Sequence, residues 1–400
     1  MTDDKAFFNW VEEHRTDNPS TLRLKYGNKK EPIDYADAIL QIECRKKFGK
    51  KLADTLAAFP EFYFPSTLAG EQSTSDRLAE YHTSLVPEGL AAADLTAGLG
   101  IDVLHIAARA SNVTAIERNE QLVEALRYNA AGLHATNVNA VNADCREWLD
   151  AAIEKGDHFG VIFIDPARRA SDGSRVFALA DCEPDIIGML PKLKKVCDLL
   201  IVKMSPMLDI SHTVSELNPF SVIALGTPTE CKELLAIVDF KEPKEQPLIE
   251  AVTLTPTGAS TFAFTAKKEA ESPMPAGTQP SPGEYIYEPY PALMKSGAFK
   301  TIAAAYGVRI FHANTRLFHS AEIIENFPGN RYEIIEVMPY SSGVIKRFKK
   351  RYPAAGVAVR NFGMSAEALR AKLGIADGGS LRLYGITDSA GERLLILTKI

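Results

Sequence analysis

Four acids recur at matching places. Asp94, Glu117, Asp144 and Asp165 each close a short apolar run. The runs read as buried parallel strands over Ala91–Leu95, Val113–Glu117, Val138–Asp144 and Val161–Asp165. In open α/β sheets, ligands bind outside the carboxyl ends of the strands, so these four acids would share one rim. A carboxylate can accept from two hydroxyls at once, and a ribose diol offers two. Glu117 lies 23 residues after Asp94, near the spacing at which an acid meets ribose hydroxyls. Asp144 can accept from an exocyclic amine such as that of adenine. The set suits an adenosine-containing ligand.

The stretch Asp94-Leu-Thr96-Ala-Gly98-Leu-Gly100 supplies a glycine turn after the first run, where the backbone can bend sharply and approach a ligand. Ile101 to Ala108 then has the apolar spacing of a helix packed back on the sheet. A dinucleotide fingerprint needs a third glycine, and position 103 is Val. Asp94 would also repel a pyrophosphate at that turn, whereas an ammonium would gain from it. S-adenosylmethionine (SAM), with an ammonium, a sulfonium and no phosphate, therefore fits better than NAD.

The elements that must hold these residues follow from the rest of the chain. Its 400 residues suggest two to three domains. The composition, 46% hydrophobic and 24% charged, is that of a globular protein. No run approaches the ~18 apolar residues of a membrane span. Met1 to Arg15 lack an apolar signal core, so a cytoplasmic location is expected. The five cysteines (Cys44, Cys145, Cys182, Cys197, Cys231) form no CxxC pair and the eight histidines no metal spacing, so no metal is expected. Cys182 and Cys197 read as packed thiols.

Residues 1–75 read as helical, with one stripe from Tyr35 to Phe59. Glu61-Phe-Tyr-Phe-Pro65 is an aromatic connector suited to core packing, and Gln72-Ser-Thr-Ser-Asp76 is a helix-start signal. Residues 76–266 alternate strand and helix, with further strands at Leu199–Met204 and Ser221–Leu225 and a hairpin at Ala251–Thr255 and Thr261–Thr265. Residues 267–291, rich in Pro, Gly, Ser and Glu, read as a linker. Residues 292–325 form a small connecting α+β region that a ferredoxin-like fold would fit, opened by a helix over Ala292–Gly307. Residues 326–400 form a small α+β module and hold 12 Lys/Arg against 6 Asp/Glu, on a chain of net charge −6. A basic module on an acidic chain is the asymmetry of a polyanion binder. Its run Lys346-Arg347-Phe348-Lys349-Lys350-Arg351-Tyr352 mixes cations with aromatics. That suits phosphate contact and base stacking, or else a solvated amphipathic face.

Asp94-Leu-Thr-Ala-Gly98-Leu-Gly100-Ile-Asp102, Ile116-Glu117-Arg118-Asn119, Asp165-Pro166-Ala167-Arg168 and Leu200-Ile-Val-Lys203 resemble the successive motifs of class I SAM-dependent RNA methyltransferases. The set is similar to that of bacterial ribosomal-RNA guanine-N2 methyltransferases. It is closer still to bacterial methyltransferases with a THUMP-like C-terminal part, where Glu288-Pro-Tyr-Pro-Ala-Leu-Met-Lys295 and Asn361-Phe-Gly-Met-Ser-Ala-Glu367 join the resemblance. It covers about residues 70–400. The resemblance implies that Asp94, Thr96, Gly98, Gly100 and Asp102 line the methionine side of SAM. Glu117 and Arg118 would meet the ribose and adenosine, Asp144 the adenine, and Asp165 the reactive methyl group. Pro166 would fix the turn presenting Asp165. Many amino-directed relatives carry an aromatic after Asp-Pro-Pro, on which the target base stacks; here Arg168 and Arg169 follow instead. Arg168, Arg169 and Lys203 either hold phosphates or pair with nearby acids.

The expectation is a Rossmann-like SAM methyltransferase sheet of α/β class with a helical N-terminal segment and a small α+β, THUMP-like, RNA-binding C-terminal domain. Asp165 is its catalytic residue and ribosomal or transfer RNA its partner. Lys346, Arg347, Lys349, Lys350 and Arg351 would contact the RNA, and guanine N2 leads as the methylated atom. A methyltransferase of protein or small molecules, and an RNA-binding protein with a residual SAM pocket, are the alternatives. Oligomeric state stays open.

Overall fold

The computed structural model describes residues 4–29, 31–168, 179, 182–274 and 279–399. The chain forms two compact units, Met1–Lys203 with Ile237–Pro243, and Met204–Ala236 with Lys244–Ile400. None of the described helices is long and apolar enough to cross a membrane.

The first unit is built on a parallel sheet. Strand β1 (Ala91–Asp94) lies between β2 (Asn112–Glu117) and β4 (Phe159–Ile164); β3 (Val138–Asn142) flanks β2, and Cys197–Met204 flanks β4. All four pairings are parallel. The strands are short, and β1 and β4 are almost wholly buried, as strands covered on both faces must be. The order reverses at β1, which makes the gap between the ends of β1 and β4 the switch point where such sheets bind ligands.

Among the described residues, six helices precede the sheet. Ser66 and Ser75 cap two of them, accepting from Ala69 N and Leu78 N. The single stripe expected from Tyr35 to Phe59 is two helices, Tyr35–Phe48 and Ala53–Ala58. Gly49 ends the first, and the Asp76 carboxylate starts the second by accepting from Asp54 N (2.8 Å) and Thr55 N (3.1 Å). Phe62 and Phe64 of the aromatic connector are fully buried, in a cluster with Phe48, Leu52, Leu99 and Ile101. They pack the helices onto the glycine turn.

In the second unit, Ser221–Gly226 runs parallel to Leu248–Thr255, which forms an antiparallel hairpin with Gly258–Thr265. A seven-stranded sheet follows, in the order Arg309–Ile310, Phe318–Ser320, Tyr285–Pro289, Gly329–Pro339, Arg393–Lys399, Leu381–Thr387, Gly356–Arg360. Its residues alternate between two cores. Leu383, Leu395 and Leu397 pack with Phe348, Leu369 and Leu373 of the helices Ser342–Arg351 and Ala366–Leu373. Tyr384, Leu394 and Ile396 pack with Ile286, Phe311 and Ile334.

The stretch read as a linker carries structure. It contains most of the helix Ala266–Glu271 and the interior strand Tyr285–Pro289. Glu269 accepts from the backbone N–H groups of Phe299, Lys300 and Thr301 at 2.9–3.1 Å, capping the helix Lys300–Tyr306 from a distance. The helix expected over Ala292–Gly307 is broken at Gly297, which is left-handed, into Pro291–Ser296 and Lys300–Tyr306. The strand Cys231–Asp239, within which the two units divide, was not expected.

Candidate active site

The turn after β1 is fixed by backbone geometry. Gly98 and Gly100 both have positive φ, 54° and 87°. A Cβ on Gly100 would stand 2.2 Å from Leu126 Cδ1, so this glycine lets the turn close on the helix Glu120–Gly132. A Cβ on Gly98 would meet nothing nearer than Thr96 O at 3.9 Å. Gly98 thus leaves open space beside the pocket it lines.

Thr96 ties two strand ends together. Its N–H donates to Asp94 Oδ1 (2.9 Å), and its hydroxyl accepts from Asp165 N (2.7 Å). Glu117, at the end of β2, accepts from Gly98 N (3.0 Å) and Asn119 N (2.8 Å). Two of a carboxylate's roughly four acceptor positions are thereby used in shaping the turn.

Behind the turn is a buried polar chain. His82, with no exposed surface, has Nδ1 2.7 Å from Asp102 Oδ1. Asp102 Oδ2 accepts from the Thr74 hydroxyl. Lys203 Nζ donates to Thr74 Oγ1 (2.9 Å) and lies 2.7 Å from Asp165 Oδ2 and 3.9 Å from Asp102 Oδ2. Burial alone would raise Asp102. The charges of His82 and Lys203 and the hydrogen bonds of His82 and Thr74 outweigh it and hold the carboxyl well below its usual range. Asp94 has no such partner set: burial, then the nearby charges of Asp102 and Asp165, push it up to about 8. A cationic group placed beside Asp94 would relieve that penalty.

Asp94, Thr96, Gly98, Gly100, Asp102, Asp165 and Lys203 line one pocket, together with Thr74. Glu117 reaches it through Gly98. Three carboxylates, one ammonium and a glycine that leaves room make a donor set that fits the ammonium, sulfonium and ribose of SAM.

Other expected residues lie elsewhere. Asp144 is not among the residues lining the pocket. It caps the helix Cys145–Lys155 and is gripped by the Arg146 guanidinium at 2.9 and 2.7 Å, which holds it down at about 2. That satisfies the carboxylate locally and leaves the expected adenine contact without structural support. Arg118 is exposed and lies 3.6 Å from Glu183. Pro166 is buried, so it shapes the turn. Arg168 closes the two-residue strand Ala167–Arg168, paired with Cys182–Glu183; Arg169 lies outside the described residues. Lys203 is nearly buried among acids, which answers the choice between phosphate holding and ion pairing in favour of pairing.

Lys346, Arg347, Lys349 and Lys350 are exposed on the helix Ser342–Arg351, while Arg351 pairs with Glu336 at 2.7 Å. Phe348 is buried in the core, so the expected base stacking does not fit it; Tyr352 is half-buried and its hydroxyl donates to Glu336.

Thr74 and His82 were missed. Thr74 sits in the helix-start signal, but Ser75 does the capping, which leaves Thr74 for the site. The available signal for His82 was its place on the inner face of Asp76–Ser84, four residues after Leu78.

Comparison with known proteins places these features in a family. Residues 82–179 match a model described as conserved hypothetical protein 95, residues 285–328 a ferredoxin-like domain and residues 329–399 a THUMP domain-like model. A 101-residue stretch is 34% identical to an uncharacterised RNA methyltransferase of Mycoplasma mobile; the match spans 25% of this chain and 24% of that protein. A crystal structure from Porphyromonas gingivalis W83, of a chain named as a methyltransferase, superposes with a TM-score of 0.88. It is 34% identical, with 98% of this chain and 97% of that one covered. The chain belongs to that family, the SAM-dependent methyltransferases with a THUMP-like C-terminal domain.

Proposed function

We propose that the chain methylates RNA on an exocyclic base amine, with guanine N2 the leading target in ribosomal or transfer RNA. The observation that carries this reading is the union of Asp94 and Asp165 through Thr96 at the switch point. Asp94 is buried and Asp165 is part-exposed, which supports a cofactor role for the first and a target-facing role for the second. SAM, when bound, supplies an electrophilic methyl on a sulfonium. Asp94 and Asp102 supply negative charge for the cationic ligand, Glu117 accepts ribose hydroxyls, and Asp165 accepts from an amine N–H and orients its lone pair. Catalysis is then chiefly positioning.

Four of the five thiols favour amine over C5-pyrimidine chemistry, which needs a nucleophilic cysteine. Burial pushes Cys44, Cys145 and Cys231 up to about 11 and Cys197 up to about 12, far from the reactive range. RNA as substrate is supported by the name of the Mycoplasma mobile relative and by the exposed cations of Ser342–Arg351.

The test is to incubate the full chain with labelled SAM and RNA from a strain lacking it, digest to nucleosides and identify the labelled product by mass spectrometry. N2-methylguanosine is expected. Label in 5-methyluridine or a ribose 2′-O-methyl group would overturn the amine assignment, and label confined to protein would overturn RNA.

A further inference from the structure

We propose that Lys203 is a positioning residue for methyl transfer, holding the Asp165 carboxylate in its working orientation, and that Thr74, backed by the buried Asp102–His82 pair, holds Lys203. This rests on the reading of Asp165 given above.

Asp165 follows the last residue of β4, and its side chain is 41% exposed. A carboxylate on such a turn can rotate away from a target. Lys203 comes from the adjacent parallel strand, where Val202 is in register with Ile164. Its side chain is 13% exposed and its ammonium grips Asp165 Oδ2 at 2.7 Å. Lys203 is itself held, because Thr74 Oγ1 accepts from it at 2.9 Å. The Thr74 proton is committed to Asp102, and Asp102 is fixed on its other oxygen by His82. His82 has its ring centroid 5.5 Å from that of Phe163 on β4. Asp165, Thr74 and Asp102 thus converge on one ammonium.

Energetics favour a purpose beyond stability. Buried ion pairs cost desolvation, and apolar replacements of similar volume are often no less stable. What a hydrogen-bonded chain adds is a single geometry at its end.

During transfer the amine lone pair forms the new N–C bond, and the C–S pair leaves on sulfur. The extra proton on nitrogen passes to the Asp165 carboxylate and then to water. An acceptor held at one angle aims the lone pair along the C–S axis and is already placed for the proton.

The test uses the full chain as wild type, Lys203→Met, Lys203→Arg, Thr74→Val and the Met/Val double variant. Calorimetry reads SAM affinity, thermal melts read folding, and single-turnover transfer to RNA from a deletion strain reads the chemistry. Lys203→Met should slow transfer by about a hundredfold, the scale of a small misplacement of a reacting group. It should bind SAM at least as tightly, since a cation has left an acidic pocket. Lys203→Arg should recover part of the rate. Thr74→Val should slow transfer less, and the double variant should be no slower than Lys203→Met, because Thr74 acts through Lys203. If Lys203→Met fails to fold, Thr74→Val and Lys203→Arg decide by the same readouts. Unchanged transfer in the folded variants, or independent multiplication of the two losses, overturns the proposal alone. No transfer by wild type overturns the functional reading and this proposal with it.

Discussion

If Asp94 lines the cofactor, as proposed, SAM binding should depend on pH. Its carboxyl is pushed up to about 8 by burial, from an ordinary 3.8, so at pH 7 it holds its proton. A cationic ligand favours the ionised form, so binding SAM at pH 7 should release a proton. Affinity should rise with pH through about 8 and level off above it. Calorimetry from pH 6 to 9 in two buffers of different ionisation enthalpy measures both effects; a flat profile would remove Asp94 from the binding site. The same shift acts on stability with a definite sign. The folded state binds this proton more tightly than the unfolded state, so the contribution is full below about pH 4 and is lost as pH rises through about 8. Asp94→Asn should therefore melt higher than wild type at pH 9 while losing the pH dependence of SAM affinity. Glu117 is a simpler case. Glu117→Ala should weaken SAM binding by about 1–3 kcal/mol, the scale of a lost hydrogen bond to a charged group. Equal affinities in the two proteins would place the ribose elsewhere.

At the scale of elements, the two glycines of the β1 turn serve different ends. Gly100→Ala must accommodate a Cβ 2.2 Å from Leu126 Cδ1 at φ 87°, and should destabilise the chain by about 1–3 kcal/mol in urea unfolding. Gly98→Ala is strained at φ 54° but meets open space, so it should cost less stability than Gly100→Ala and add a loss of SAM affinity. Similar effects of both changes on stability alone would refute the distinction. Strands β1 to β4 and the glycine turn were legible in the sequence because a buried parallel strand is a short apolar run and its end is marked by a polar residue. Cys231–Asp239 was harder, because its core Leu-Leu-Ala-Ile-Val has no alternation to separate strand from helix, and pairing decides. The segment 267–291 misled because its Pro and Gly content suggests a linker, whereas Glu269 works as a cap for residues some thirty positions on. Lys203 was seen but its partners were not, since Thr74 is 129 residues away and no local pattern encodes that meeting. Asp144 has a local partner that its motif does not announce: Arg146, only two residues on, grips it.

At the scale of the whole molecule, the question is whether the positive charge of residues 326–400 binds RNA. Removing those residues would not be a clean test. Gly329–Pro339 pairs with both Tyr285–Pro289 and Arg393–Lys399, and Glu288 accepts from Arg360 and Arg382 at 2.8 Å each, so truncation would open a sheet and strand a buried acid. Point neutralisation leaves the fold alone, because the relevant cations are exposed while Phe348 anchors their helix in the core. Lys346, Arg347, Lys349 and Lys350 should be changed together to Gln. Arg351 should stay, since it is paired with Glu336. If these side chains neutralise phosphates, RNA affinity falls and the slope of log K against log salt becomes shallower, by about 0.7 for each phosphate of single-stranded RNA that is no longer neutralised. SAM affinity, set by residues of the first unit, should not change. Base stacking by Phe348 is closed off by its burial, so the weakening should be electrostatic and should shrink as salt rises. An unchanged slope would show that these four cations face only water, and would move the RNA interface off this helix.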